Sequence, residues 1–245
     1  MFIKPLCRWS SVAVVAACAL SGCRTGEPVV RPLPPPVVRT PSVQPATRLP
    51  QPAPTPPPPK ARNLSGAVIV VDPGHGGKDP GAPARGRSQQ PEKSIVLDIG
   101  LKLESLLTQQ GAQVIMTRST DRFIELADRA AIAERARADL FVSLHVDAAQ
   151  RTSASGVGIF IYTGASPESQ RAALRMLSAI QRAGITCRGI DRRNFHVLRE
   201  HSRPAMLIEC GFLTNAGDAL ALNTNAYRQQ LARAIANGIA SYFTG

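Results

Sequence analysis

GAVIVVDPGHGG occupies residues 66–77. Ala67 to Val71 is an unbroken apolar run, mostly β-branched, with no polar alternation. Such a run reads as a strand buried on both faces, the kind found inside a sheet covered by helices. It stops at a bend where Pro73, Gly74, Gly76 and Gly77 surround one imidazole, His75. A phosphate-binding loop would close in Lys followed by Ser or Thr, as in G-x-x-x-x-G-K-[ST], and that spacing is absent. A rigid turn that lifts a metal ligand clear of the sheet is the other reading, and it requires further ligands at equivalent places.

Working outward, strand-like and helix-like segments alternate. Pro91 and Gly111 frame a helix over Glu92–Gln110, in which Val96, Ile99, Leu103 and Leu106 recur at spacings of three and four. AQVIMTR (112–118) reads as a strand. Asp121 is placed to cap a helix running to about Ala138, with Leu126, Ala130 and Ala133 on one side. DLFVSLH (139–145) is a buried strand and GVGIFIYT (156–163) an alternating one. Ser166-Pro167 opens a helix to Gly184. NFHVLRE (194–200) and AMLIE (205–209) read as strands, with GITCRGIDRRN as a connection before the first. A last helix runs from about Asn225 to Phe243 and faces Leu231, Ile235 and Ile239 inward. The fold class that follows is α/β: a single twisted, largely parallel sheet with helices on both faces. No internal repeat is visible.

The first sixty residues have a different character. Residues 1–22 carry Lys4 and Arg8 and then the apolar run SSVAVVAACAL, the make-up of a secretory signal and too short to span a bilayer well. Leu20-Ser21-Gly22-Cys23 resembles the lipobox of bacterial lipoproteins, which implies cleavage before Cys23, acylation of that residue and attachment to a membrane. Residues 23–60 hold fourteen of the 21 prolines and no aromatic residue, so they form no core. As polyproline II, at about 3.1 Å per residue, such a stalk reaches roughly 110 Å. The folded domain is residues 61–245. Of the formal charge of +12, the leader carries +2, the stalk +4 and the domain +6. That spread suits a polyanionic wall or lipid surface. No basic-aromatic cluster marks nucleic acid. Of five cysteines, Cys187 and Cys210 remain in the domain, and neither has the C-x-x-C spacing of a structural zinc finger.

In open α/β sheets, ligands gather beyond the carboxyl ends of the strands. His75 follows one strand, His145 closes another, Glu209 closes a third, and Glu92 opens the first helix after the loop PARGRSQQP. Two imidazoles, one carboxylate and an open position make up a catalytic zinc site, and a second carboxylate then acts as general base. Spacing alone does not say which glutamate has which task.

The blocks DPGHGGKDPGA, PEKSIVLDIGLKLESLL, TRSTDRFIELADRAAIA, ADLFVSLHVDA and PAMLIECGFLTN occur in that order. Together they resemble the zinc-dependent N-acetylmuramoyl-L-alanine amidases of the amidase_3 type, over roughly Ala67 to Phe243. The resemblance implies Zn2+ held by His75, Glu92 and His145, with Glu209 catalytic. It implies peptidoglycan as substrate, cut between the lactyl group of muramic acid and L-alanine by a monomer. With Cys23 lipidated and Arg24 following it, the implied location is the periplasmic face of the outer membrane. The glycines after His75 are expected to keep the approach open for a polymer.

Other readings are weaker. A binding module that had lost catalysis would not need all four residues. A zinc peptidase acting on crosslinks would use similar chemistry. Cys210 lacks a free histidine base, and His196 and His201 match no ligand position. Asp147 and Arg118 are expected to support the site from behind. Some relatives carry an inhibitory insertion between the strands corresponding to GVGIFIYT and FHVLR. Here only 31 residues separate Thr163 from Phe195, and one helix uses most of them, so no plug is expected.

Overall fold

The computed structural model describes residues 64–84 and 87–245. The leader, the proline-rich segment and Cys23 lie outside the described residues. Among the described residues no helix is long and apolar enough to cross a membrane.

Six strands form one sheet: β1 (Val68–Pro73), β2 (Gln113–Met116), β3 (Leu140–Asp147), β4 (Val157–Tyr162), β5 (Cys187–Arg193) and β6 (Ala205–Phe212). Their order is β2-β1-β3-β6-β4-β5. β1, β2, β3 and β6 run parallel; β4 runs antiparallel to β6, and β5 runs parallel to β4. The expected α/β sheet is therefore present as a mixed one.

Helices cover both faces unequally. α1 (Glu92–Gln109), α3 (Pro167–Arg182), α5 (Ala216–Asn223) and α6 (Asn225–Thr244) pack on one side. There Ile95, Ile99, Met176, Leu231 and Ile235 meet Ile69, Val71, Val142, Leu144 and Ile208. Among the described residues the other side carries only α2 (Leu126–Arg135) and the single turn α4 (His196–Arg199). Ala133, Val197 and Leu198 meet Val70, Phe141, Phe160 and Leu207 there. Because strand side chains alternate, Asp72, His145 and Glu209 share this thinly covered face.

Several local readings are corrected. NFHVLRE is not a strand: His196–Arg199 form α4. The segment read as a connection contains β5, whose polar residues stay exposed at the sheet edge and leave no apolar period to read. Asp121 does not cap α2. Its carboxylate takes the Gly77 N–H and the Lys93 ammonium instead, and the helix begins at Leu126, which is exposed. β4 is buried on both faces rather than alternating. α5 was not anticipated, and its N-cap is the Asn215 side chain, which accepts the N–H groups of Gly217 and Asp218. β3 and β6 also extend past the residues read as their ends, so His145 and Glu209 lie inside strands. Cys187 and Cys210 are both free thiols.

Candidate metal centre

The chain leaves β1 through α1 toward β2 on one side, whereas it leaves β3 toward β4 on the other. The crevice beyond the carboxyl ends of β1 and β3 is thus a point where connections diverge, the usual place for a ligand in such sheets. His75 leaves β1 and His145 lies near the end of β3. Glu92, the first residue of α1, reaches in from the side. His75 Nε2 stands 3.0 Å from Glu92 Oε1, His145 Nδ1 stands 2.9 Å from the same oxygen, and the two ring nitrogens are 3.1 Å apart. Ligand bonds of about 2.0–2.1 Å at tetrahedral angles separate ligand atoms by about 3.3 Å. The three donors are already gathered as one cation requires, and this chemistry of two imidazoles and a carboxylate fits zinc.

Each donor is held from behind. His75 Nδ1 is 2.7 Å from Asp79 Oδ2, which leaves Nε2 as the outward nitrogen. Glu92 accepts the Ala82 N–H through Oε2 and the Val146 N–H through Oε1. Burial alone would raise Glu92, but both histidines outweigh it and hold the carboxyl well below its ordinary range. Burial also opposes protonation of His75, yet Glu92 and Asp79 lift the imidazole above its ordinary value. Protons and a cation therefore compete for this cup.

Two glycines let the backbone close on the donors. A Cβ on Gly74 would lie 2.3 Å from His145 Cε1, and one on Gly81 would lie 2.5 Å from Glu92 Oε2. His75 itself sits at φ 58°, a left-handed conformation unusual for a side-chain-bearing residue. That backbone is clamped. Arg129 donates to the carbonyls of His75 and Pro73 and to Asp72 Oδ1, at 2.6, 2.8 and 2.7 Å. Asp72, fully buried, also takes the hydroxyls of Thr117 and Ser143. Arg118, buried as well, ties the carbonyls of Pro73 and Gly74 to that of Lys93 on α1, which is the supporting role expected of it.

Glu209 faces the cup from β6, in register with His145. The register slips just beyond this pair, so β6 carries an extra residue beside Glu209; bulges of this kind re-aim side chains at sites. Glu209 Oε2 is out of contact with solvent and has no hydrogen-bond partner among the described residues. Burial, reinforced by the negative charges of Glu92 and Asp147, pushes its carboxyl well above the ordinary range, while Arg188 pulls the other way. Cys210 beside it is fully buried and its thiol is pushed up by that burial, which makes it a packing residue.

Two cavities meet at Glu209. One, of about 430 Å³, borders His75, His145 and Glu209 and is walled by Phe123, Leu126, Phe195 and Leu207. The other, of about 500 Å³, runs over β4 and β5 past Asp147, Arg188, Asp191 and Arg193. His196, read as part of a strand, instead opens α4 and borders the first cavity. His201 packs edge-on against Phe141, with ring centroids 5.0 Å apart.

The structure brings together all four residues singled out from the sequence. It adds Asp72, Arg129 and Asp79, which that reading missed. Two signals were present: an acid ending a buried strand, and an arginine inside the Leu126, Ala130, Ala133 stripe.

Known proteins resemble this chain over the same domain. The Amidase_3 family model, described as N-acetylmuramoyl-L-alanine amidase, matches residues 69–241. The sporulation-specific N-acetylmuramoyl-L-alanine amidase of Bacillus subtilis is 38% identical over 179 residues, covering 71% of this chain and 68% of the relative. The probable cell wall amidase LytH of Staphylococcus epidermidis is 37% identical over 182 residues, covering 74% of this chain; the match spans only 60% of the relative's length. Among solved structures, an N-acetylmuramoyl-L-alanine amidase from Clostridium difficile 630 superposes with a TM-score of 0.68 at 35% identity, covering 73% of this chain and 97% of that one. The catalytic domain of CwlV from Bacillus (Paenibacillus) polymyxa var. colistinus gives 0.67 at 38% identity, covering 72% and 97%.

Proposed function

The chain belongs to the Amidase_3 family of N-acetylmuramoyl-L-alanine amidases, and on that premise we propose that it hydrolyses the amide between the muramic acid lactyl group and L-alanine of peptidoglycan. The observation that carries the proposal is the cup of His75, Glu92 and His145 with the unpartnered carboxylate oxygen of Glu209 beside it. His75, Glu92 and His145 would hold Zn2+, which when bound supplies Lewis acidity toward the attacking water and the amide carbonyl.

Glu209 does the proton work. A carboxylate pushed up by burial is a stronger base than one in water. It takes a proton from the attacking water as the new C–O bond forms, and returns it to the alanine nitrogen as the C–N bond breaks. The products are a lactyl carboxylate on the glycan and a free amino group on the stem peptide. The hydrogen bonds behind His75 and Glu92 keep the donors from turning away. The apolar wall of the first cavity keeps bulk water off the face of the reacting amide.

We also propose a monomer as the working unit. Between Thr163 and Phe195 only α3 and β5 occur, and both belong to the layered fold, which supports activity without release of a plug. Digestion of sacculi by the zinc-loaded full chain should liberate stem peptides from intact glycan strands, and chelation should stop it until zinc is restored. Cleavage within the peptides, or full activity after chelation, would overturn the assignment. We also place the protein at the periplasmic face of the outer membrane through Cys23. Cys23→Ser should then move it to the soluble fraction, and continued membrane fractionation would refute the anchor.

A further inference from the structure

The two cavities that meet at Glu209 differ in chemistry. The one over His75 and His145 is walled largely by aromatic and aliphatic side chains. The one over β4 and β5 is charged. The substrate is just as asymmetric. N-acetylated sugars carry no charge, whereas the peptide beyond the scissile bond carries carboxylates.

Arg188 is the residue positioned to read that difference. It leaves β5 on the site face, and its Nη2 lies 2.6 Å from where a Cβ on Gly158 would stand. Gly158 is the direct register partner of Glu209 across β4 and β6, so the guanidinium lies next to the proton-transferring carboxylate. Its plane is held over the Phe212 ring, 4.5 Å from the centroid. Its acidic neighbour, Asp147, stands at 3.9 Å, a long contact between two half-exposed groups. Arg193 in the same cavity is engaged differently, paired with Asp191 at 2.6 Å. Arg188 thus presents a pre-placed fork with donors to spare, the geometry that takes a carboxylate in two parallel hydrogen bonds.

We propose that Arg188 is a specificity residue that binds the first carboxylate of the stem peptide, the α-carboxylate of the residue after L-alanine, and so seats the peptide arm over β4 and β5 while the neutral muramoyl arm lies over the apolar wall. This rests on the amide hydrolysis proposed above. The zinc-loaded full chain is assayed on two synthetic N-acetylmuramoyl tripeptides that differ only in whether the D-glutamate α-carboxyl is free or a carboxamide. The readout is the ratio of the two kcat/KM values. Charge-assisted hydrogen bonds set the expected preference for the free acid at about tenfold to a hundredfold. Arg188→Gln should bring the ratio towards one, and Arg188→Lys should keep part of it. Calorimetric Kd values for the same pair, on Glu209→Gln with and without Arg188→Gln, give the ratio where turnover is too slow to measure. A wild-type ratio near one, or a preference that survives Arg188→Gln, overturns the proposal. So does an Arg188→Gln protein slowed equally on both substrates, because Arg188 would then act on Glu209 and not on the peptide. Failure of the wild type to cleave either compound refutes the hydrolysis itself and is distinct from all three.

Discussion

Replacing Arg129 by leucine tests whether the cup is held by the buried polar cluster beneath it. Arg129 is 2% exposed and Asp72 not at all. The substitution removes donors to Asp72 Oδ1 and to the carbonyls of Ile124, Pro73 and His75. Asp72 keeps two hydroxyl donors, from Thr117 and Ser143, but loses its only salt-bridge partner among the described residues. Removing one member of a buried ion pair costs about 3–5 kcal/mol, a large part of a total stability of about 5–15 kcal/mol. At about 2–4 °C per kcal/mol for a domain of this size, the melting temperature should fall by roughly 6–20 °C. A second effect is local. His75 holds a left-handed backbone that costs about 1–3 kcal/mol unless its surroundings impose it. Without the Arg129 clamp the loop relaxes, and zinc affinity should drop by about tenfold to a hundredfold. Urea unfolding of the chelated full chain gives the first number, and competition with a chromogenic chelator gives the second. A stability loss under about 1 kcal/mol together with unchanged zinc affinity would refute the reasoning. A cycle with Asp72→Asn then separates the pair's coupling from the bonds to the loop carbonyls.

Glu209→Gln should keep fold and zinc and lower kcat by about two to four orders of magnitude; loss of zinc from this variant, with retention in Glu92→Gln, would exchange the roles of the two glutamates. Gly74→Ala places a Cβ against the His145 ring, so zinc affinity and activity should fall together. An active, zinc-replete Gly74→Ala protein would show that the ring has room to move.

Much of this protein is legible in the amino-acid order because its signals are local. The run Ala67–Val71 announces a strand buried on both faces, and the spacing of Val96, Ile99 and Leu103 announces a helix that packs on it. His75, Glu92, His145 and Glu209 stand out because each interrupts or borders such an element with a residue that apolar packing does not need. Where the pattern was weak, the reading failed for the same reason. FHVL is too short to distinguish period two from period 3.6, and β5 is a polar edge strand whose identity comes from its neighbour β4 and not from its own side chains. Asp121 has the form of a helix cap, yet a lysine and a backbone N–H from other segments compete for it and win. Only the tertiary structure sets which face of the sheet is thinly covered, and that brings His145, Glu209 and Asp72 to one side. It alone shows that Arg129 leaves the apolar stripe of its helix to clamp the His75 turn, and that Arg188 lies over Gly158 beside Glu209. These pairings join residues far apart in the chain. Sequence carries the chemistry of each partner but not the distance between them, which is decided when strand register and helix packing close.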